Sequence, residues 1–199
     1  MKLNQLNNRF VTWILDLLLI SNLDRRAERE FHKMRRLHEK GGFINKCRAR
    51  RLENQLLLKY GMRIPCAAKI GKNFQIRHPQ GIGIGPTAEV GDNCKVYPYF
   101  EAMAAVKGDS ERNENQVRRH AKIGNDCILG SKASVIGPVT IGDDVTIAAC
   151  AIVTKDVPSH SVVKGTNMVR RKRLEEIPEK YREEYLREET QREEAQRNE

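Results

Sequence analysis

Residues 123–158 read IGNDCI, LGSKAS, VIGPVT, IGDDVT, IAACAI, VTKDVP, and nothing else in the chain constrains its architecture as tightly. Each unit opens on a branched aliphatic: Ile123, Leu129, Val135, Ile141, Ile147 and Val153. Four places later stands a small or β-branched residue: Cys127, Ala133, Val139, Val145, Ala151 and Val157. A period of six matches neither an amphipathic helix, with its repeat of roughly 3.6, nor an alternating strand. It matches a chain that makes a short strand, turns a corner and repeats, so that three strands close a triangular coil of about 18 residues. The opening aliphatic should point into the prism. The Gly or Asn-Asp after it should turn the corner, as at Gly71, Gly91, Gly124, Gly130 and Gly142.

The same spacing runs backwards along the chain. Ile64, Ile70 and Ile76 keep it, with Ala68 in the small position and Phe74 as an exception. After a shift of two residues it resumes at Ile84, Val90 and Val96, with Ala88 and Cys94 in the small positions. Between Val96 and Ile123 it is interrupted. Residues 107–119, KGDSERNENQVRR, are too polar for any core, so 103–122 should project as a loop from the prism. The fold class expected is therefore mainly β, a left-handed parallel β-helix of hexapeptide repeats over 62–170. An N-terminal helical segment occupies 1–61, and a charged C-terminal helix or tail occupies 171–199. In the first of these, Ser21 and Asp24 have capping-box spacing, Gly41-Gly42 breaks the chain, and a further helix ends near Gly61. Ile177, Tyr181 and Tyr185 are the tail's docking candidates.

The 199 residues carry a net charge of +10 and are 39% apolar. The longest apolar stretch, residues 10–20, is broken by Thr12 and Asp16 and falls short of the ~20 residues that span a bilayer. A cytoplasmic protein is expected, with a peripheral membrane contact through the basic N-terminal helices left open. The basic stretch 24–72 lacks interleaved aromatics and zinc-finger spacing, which argues against nucleic acid and leaves anionic small molecules, coenzyme A among them. The five cysteines show no CxxC pair; four of them fall in the repeat region where a small residue is wanted, and they read as buried free thiols.

Of the five histidines, His32 and His38 lie in the basic helices at a spacing that puts no two ligands on one helix face, and His160 reads as a surface turn. His78, in IRHPQG, and His120, closing the projecting segment, stand where the coils change phase or open. Imidazole titrates near neutrality and so suits the role of a base that takes a proton from a hydroxyl.

Residues 59–170 resemble the serine acetyltransferases and their relatives in polysaccharide gene clusters. The resemblance is carried by IPCAAKIGKNFQIRHPQGIGIGPTAEVGDN, RRHAKIGNDCILGSKASVIGPVTIGDD and AIVTKDVPSHSVVKG. It implies an acyltransferase with acetyl-CoA as co-substrate and no metal, and a homotrimer with active sites between prisms. His78 would be the base and His120 a second, acceptor-binding histidine. Gly130, Ala149, Lys164 and Gly165 fall where the family receives coenzyme A. The chain departs from the serine-specific pattern at Arg77 and Arg63, where the family has aspartates beside and fifteen residues before the base. Ala105-Val106 replace a glycine pair, and Met168 stands where Pro or Ala is usual.

Two arginines near one imidazole should weaken the base and repel an ammonium group. The reading placed first is therefore an O-acetyltransferase acting on a sugar or surface-polysaccharide precursor, with Arg63 and Arg77 as substrate-binding candidates. The alternatives are a serine O-acetyltransferase and an inactive hexapeptide scaffold or regulatory subunit. A zinc hydratase on the same fold needs three convergent histidines.

Overall fold

The computed structural model describes residues 23–103 and 119–197. Among these, helices α1 (Leu23–Lys40) and α2 (Phe43–Tyr60) precede fourteen short strands, and α3 (Arg182–Arg197) follows them. The strands stack into three sheets. The first face holds β1 (Lys69–Ile70), β4 (Glu89–Val90), β7 (Lys122–Ile123) and β10 (Thr140–Ile141). The second holds β2 (Gln75–Ile76), β5 (Lys95–Val96), β8 (Ile128–Leu129), β11 (Thr146–Ile147) and β13 (Ser161–Lys164), all parallel, with β14 (Met168–Arg171) antiparallel on β13. The third holds β3 (Gly83–Ile84), β6 (Glu101–Met103), β9 (Ser134–Ile136) and β12 (Ile152–Val153).

The register places the repeat aliphatics in columns: Ile70, Val90, Ile123 and Ile141 on the first face. The second stacks Ile76, Val96, Leu129, Ile147 and Val163, and the third Ile84, Ala102, Val135 and Val153. Each of these side chains is at most 5% exposed, so the columns are the core. The mainly-β parallel helix expected from the period of six is the fold observed.

The corner glycines have a different reason from the expected one. Gly91 and Gly124 are not left-handed; the positive φ angles fall at Asn73, Asn93, Asp126 and Asp144, further round the same corner. A β-carbon on Gly91 would come within 2.6 Å of the Gly124 carbonyl oxygen, and one on Gly124 within 2.7 Å of that of Gly142. These glycines permit coils to approach closely, while Asn and Asp, which tolerate the left-handed region, turn the chain. Their side chains bond along the edge, Asn73 Nδ2 to Asn93 Oδ1 at 3.0 Å and Asn93 Nδ2 to Asp126 Oδ1 at 3.3 Å.

Phe74, the large residue in a small slot, closes the open end of the prism. It packs on Phe31 of α1 with ring centroids 5.8 Å apart, in a cluster that includes Met34, Leu56 and Met62. Glu28 of α1 accepts the Ile76 N–H at 2.8 Å, which fixes the helix against the lowest strand of the second face. The apolar stripe of residues 10–20 and residues 104–118 of the projecting loop lie outside the described residues. No described helix is long and apolar enough to cross a membrane.

The far end is closed by the tail. His160, read from the sequence as a surface turn, is fully buried. Its Nδ1 lies 3.2 Å from Asp144 Oδ2, and Lys172 Nζ lies 2.7 Å from Asp144 Oδ1. Tyr181 and Tyr185 place their rings 5.2 and 5.6 Å from the imidazole. The Tyr181 hydroxyl donates to Asp126, and that of Tyr185 to the Lys172 carbonyl at 2.7 Å. The cysteines divide likewise. Cys94 and Cys127 are buried in small slots, whereas Cys150 stands exposed at a corner with φ of +59°.

Candidate active site

The two-residue phase shift has a physical form. Between β2 and β3 the chain bulges outward: His78 has φ of +50°, the Gln80 N–H donates back to the His78 carbonyl at 2.7 Å, and Gly81 has φ of +59°. The extra residues leave at the edge between the second and third faces, so Ile76 and Ile84 both keep their columns. The His78 side chain on this bulge is 74% exposed, and its Nδ1 lies 3.7 Å from Asp24 Oδ2 in the first turn of α1. A carboxylate therefore accompanies the imidazole although neither coil position expected to supply one is acidic. Arg77 does not occupy that place; its guanidinium donates to Gln75 Oε1 at 2.8 Å.

His120 stands on a different edge, between the third and first faces. It is 9% exposed, and its Nδ1 lies 2.7 Å from the hydroxyl of Thr87, which also accepts the Arg119 N–H at 3.3 Å. With Nδ1 engaged, Nε2 lies over Gly85, where any β-carbon would overlap the ring. Burial, with the Arg119 charge second, holds the His120 pKa below the ordinary 6.5, so the ring is neutral at pH 7.

Beside His120 the third face carries a cleft of about 520 Å³. Its ionisable lining is Arg63, Glu101 and His120, and its floor includes Gly83 and Gly85. Arg63 enters through backbone pairing with Gly83. His78 is not in this lining. The two candidate histidines flank the third face on opposite edges, and one chain does not bring them together. A groove of about 580 Å³ between α1 and the first face contains neither.

The four residues expected to receive coenzyme A share the edge that carries His78. Gly130 directly follows β8, Ala149 follows β11, Lys164 ends β13 and Gly165 follows it. A β-carbon on Gly130 would come within 2.7 Å of the Ala149 nitrogen, so glycine there allows the two corners to nest. The Ile152 N–H donates to the Gly165 carbonyl at 2.8 Å. Lys132 and Lys164 project outward along this edge and suit phosphate groups, so the residues present fit the co-substrate. Among the described residues no group of three His, Cys, Asp or Glu could hold a metal ion.

Asp24, Thr87 and Glu101 were missed by sequence reasoning. Asp24 reads as a helix-start residue and Glu101 as an ordinary outward strand position; only the stacking of distant segments sets Asp24 beside His78 and Glu101 in one cleft with Arg63 and His120.

Residues 120–155 match the family described as bacterial transferase hexapeptide (six repeats). The chain is similar to the serine acetyltransferase of Bacillus pumilus, 37% identical over 105 residues, covering 53% of this chain and 45% of the relative. It is likewise similar to that of Helicobacter pylori, 35% identical over 106 residues, covering 53% and 58%. The chain spans about half the length of the curated relatives it matches. Among solved structures it resembles the Neisseria gonorrhoeae serine acetyltransferase in complex with serine, with TM-score 0.61 and 28% identity over 78% of this chain and 58% of that one. It also resembles the Brucella abortus enzyme in complex with coenzyme A, with TM-score 0.60 and 25% identity over 72% and 53%.

Proposed function

We propose that this chain is an acetyl-CoA-dependent O-acetyltransferase whose acceptor is a small hydroxylated amino acid, L-serine first. The observation that carries the reading is the single prism edge on which His78, with Asp24 beside it, stands below Gly130, Ala149 and Lys164. The similarity to serine acetyltransferases supports the serine alternative better than the saccharide acceptor placed first from the sequence. The arginines weigh little against serine, because Asp24 lies beside the imidazole of His78 and Arg77 is engaged by Gln75.

The acyl donor supplies an acetyl group already activated as a thioester. His78 takes the proton of the acceptor hydroxyl as its oxygen bonds to the thioester carbon, the carbon–sulfur bond breaks, and the imidazole returns that proton to the departing thiolate, with Asp24 orienting the ring. His120, fixed at Nδ1 by Thr87, offers Nε2 to the acceptor. Because the histidines stand on opposite edges of one chain, a single acceptor meets both only between copies, and a homotrimer provides that arrangement. A cytoplasmic location accords with the co-substrate.

The test is thiol release from acetyl-CoA with L-serine, hexoses, amino sugars and nucleotide sugars as acceptors. Release with L-serine, lost in His78→Ala, is the expected result. Release with a sugar alone would restore the saccharide reading, and no release with no acetyl-CoA binding would favour the inactive scaffold.

A further inference from the structure

We infer that the glycine-floored cleft on the third face is an acceptor site for a zwitterion, in which Glu101 reads the ammonium group and Arg63 the carboxylate. This rests on the acetyl-transfer reading and adds a specificity-determining residue to it.

The cleft of about 520 Å³ is lined by one cation, one anion and one neutral imidazole. Among the described residues, neither Arg63 nor Glu101 forms an ion pair or side-chain hydrogen bond, with each other or with a third group. Opposite charges that face one cavity without neutralising each other favour a ligand that brings both charges between them. A neutral sugar would leave both uncompensated while displacing their water.

The backbone is shaped for this. Glu101 is half-buried, and its Cγ lies 3.6 Å from where a β-carbon on Gly83 would stand. His120 lies over Gly85 in the same way. Gly83 in β3 and Gly85 just after it, both without side chains, thus make a recess, with the Glu101 side chain over one and Nε2 over the other. His120 lines the same cleft, so a ligand held between Arg63 and Glu101 shares it with the imidazole. The repulsion of an ammonium by Arg63, expected from the sequence, is offset by Glu101 two coils above, with Gly83 on the coil between them.

The experiment uses the full chain and three acceptors: L-serine, glycerate (serine with its ammonium replaced by hydroxyl) and ethanolamine (serine without its carboxylate). In Glu101→Gln, of nearly unchanged shape, the KM for L-serine should rise roughly ten- to a hundredfold with kcat little changed, while glycerate is unaffected. In Arg63→Gln, L-serine and glycerate should both weaken and ethanolamine should not. A serine-to-glycerate preference unmoved by Glu101→Gln overturns the assignment, as does equal weakening of both, which would mark a structural role. If acetyl transfer fails with every acceptor, calorimetry of L-serine with the chain alone still decides. Binding that Glu101→Gln abolishes supports the site after the transferase reading has failed, and absence of binding overturns it.

Discussion

His160 and His78 occupy corners with nearly the same left-handed backbone, φ of +56° and +50°, and each has an aspartate at Nδ1, Asp144 at 3.2 Å and Asp24 at 3.7 Å. One is sealed under two tyrosines and a lysine; the other projects into solvent. The difference lies in what crosses each edge. The tail runs over the edge between the first and second faces and brings Lys172, Tyr181 and Tyr185 with it. The edge between the second and third faces carries an outward bulge instead. An imidazole–carboxylate pair is thus a structural joint where a segment covers it and a candidate base where none does.

The comparison can be broken at either pair. His78→Ala should lower turnover by about 10²- to 10⁴-fold while moving stability by less than about 0.5 kcal/mol, measured as kcat and as a urea midpoint. Loss of stability with retained turnover would reverse the two roles. Asp144→Ala should do the opposite. It leaves the Lys172 ammonium and the His160 imidazole buried without their partner, a destabilisation of about 3 kcal/mol, with turnover per folded molecule preserved. Asp24→Asn tests whether the longer pair acts through orientation. We expect roughly a tenfold loss in kcat with KM for acetyl-CoA unchanged, and a wild-type rate would remove Asp24 from the site.

His120 provides a pH measurement. Its folded pKa lies below 6.5 while the unfolded chain titrates near the ordinary value. As pH falls through about 6.5 the unfolded state therefore binds protons first. The stability associated with a neutral His120 is fully present above about pH 6.5 and declines below it. His120→Gln should flatten that part of the profile of urea midpoint against pH, and an unchanged slope would show that other groups set it. The smallest effect is expected at Tyr185→Phe, which removes the hydrogen bond to the Lys172 carbonyl and should cost about 1 kcal/mol by thermal unfolding.

What could be read in the sequence followed the range of the interactions. The columns Ile123–Ile141 and Leu129–Ile147 were legible because every coil repeats the same burial requirement at the same spacing. Even the bulge at His78 was visible, as a slip in that spacing. The partners of the histidines were not, since Asp24 reaches His78 from a helix before the prism and Tyr185 reaches His160 from a helix after it. The corner glycines were found for the wrong reason. Their spacing is visible in one dimension, but the close approach of the next coil is not. Glu101 has no sequence signal, because an outward glutamate on a strand reads as solvated until the glycine one coil below it and the arginine two coils below are placed.

The bulge between β2 and β3 also bears on descent. Because the excess chain leaves the prism sideways, Ile76 and Ile84 stay in their columns, and every coil above is indifferent to it. Two codons gained or lost at that corner would add or erase the proposed base without re-registering a single strand. A prism with the proposed base and one without it can thus be neighbours one short insertion apart.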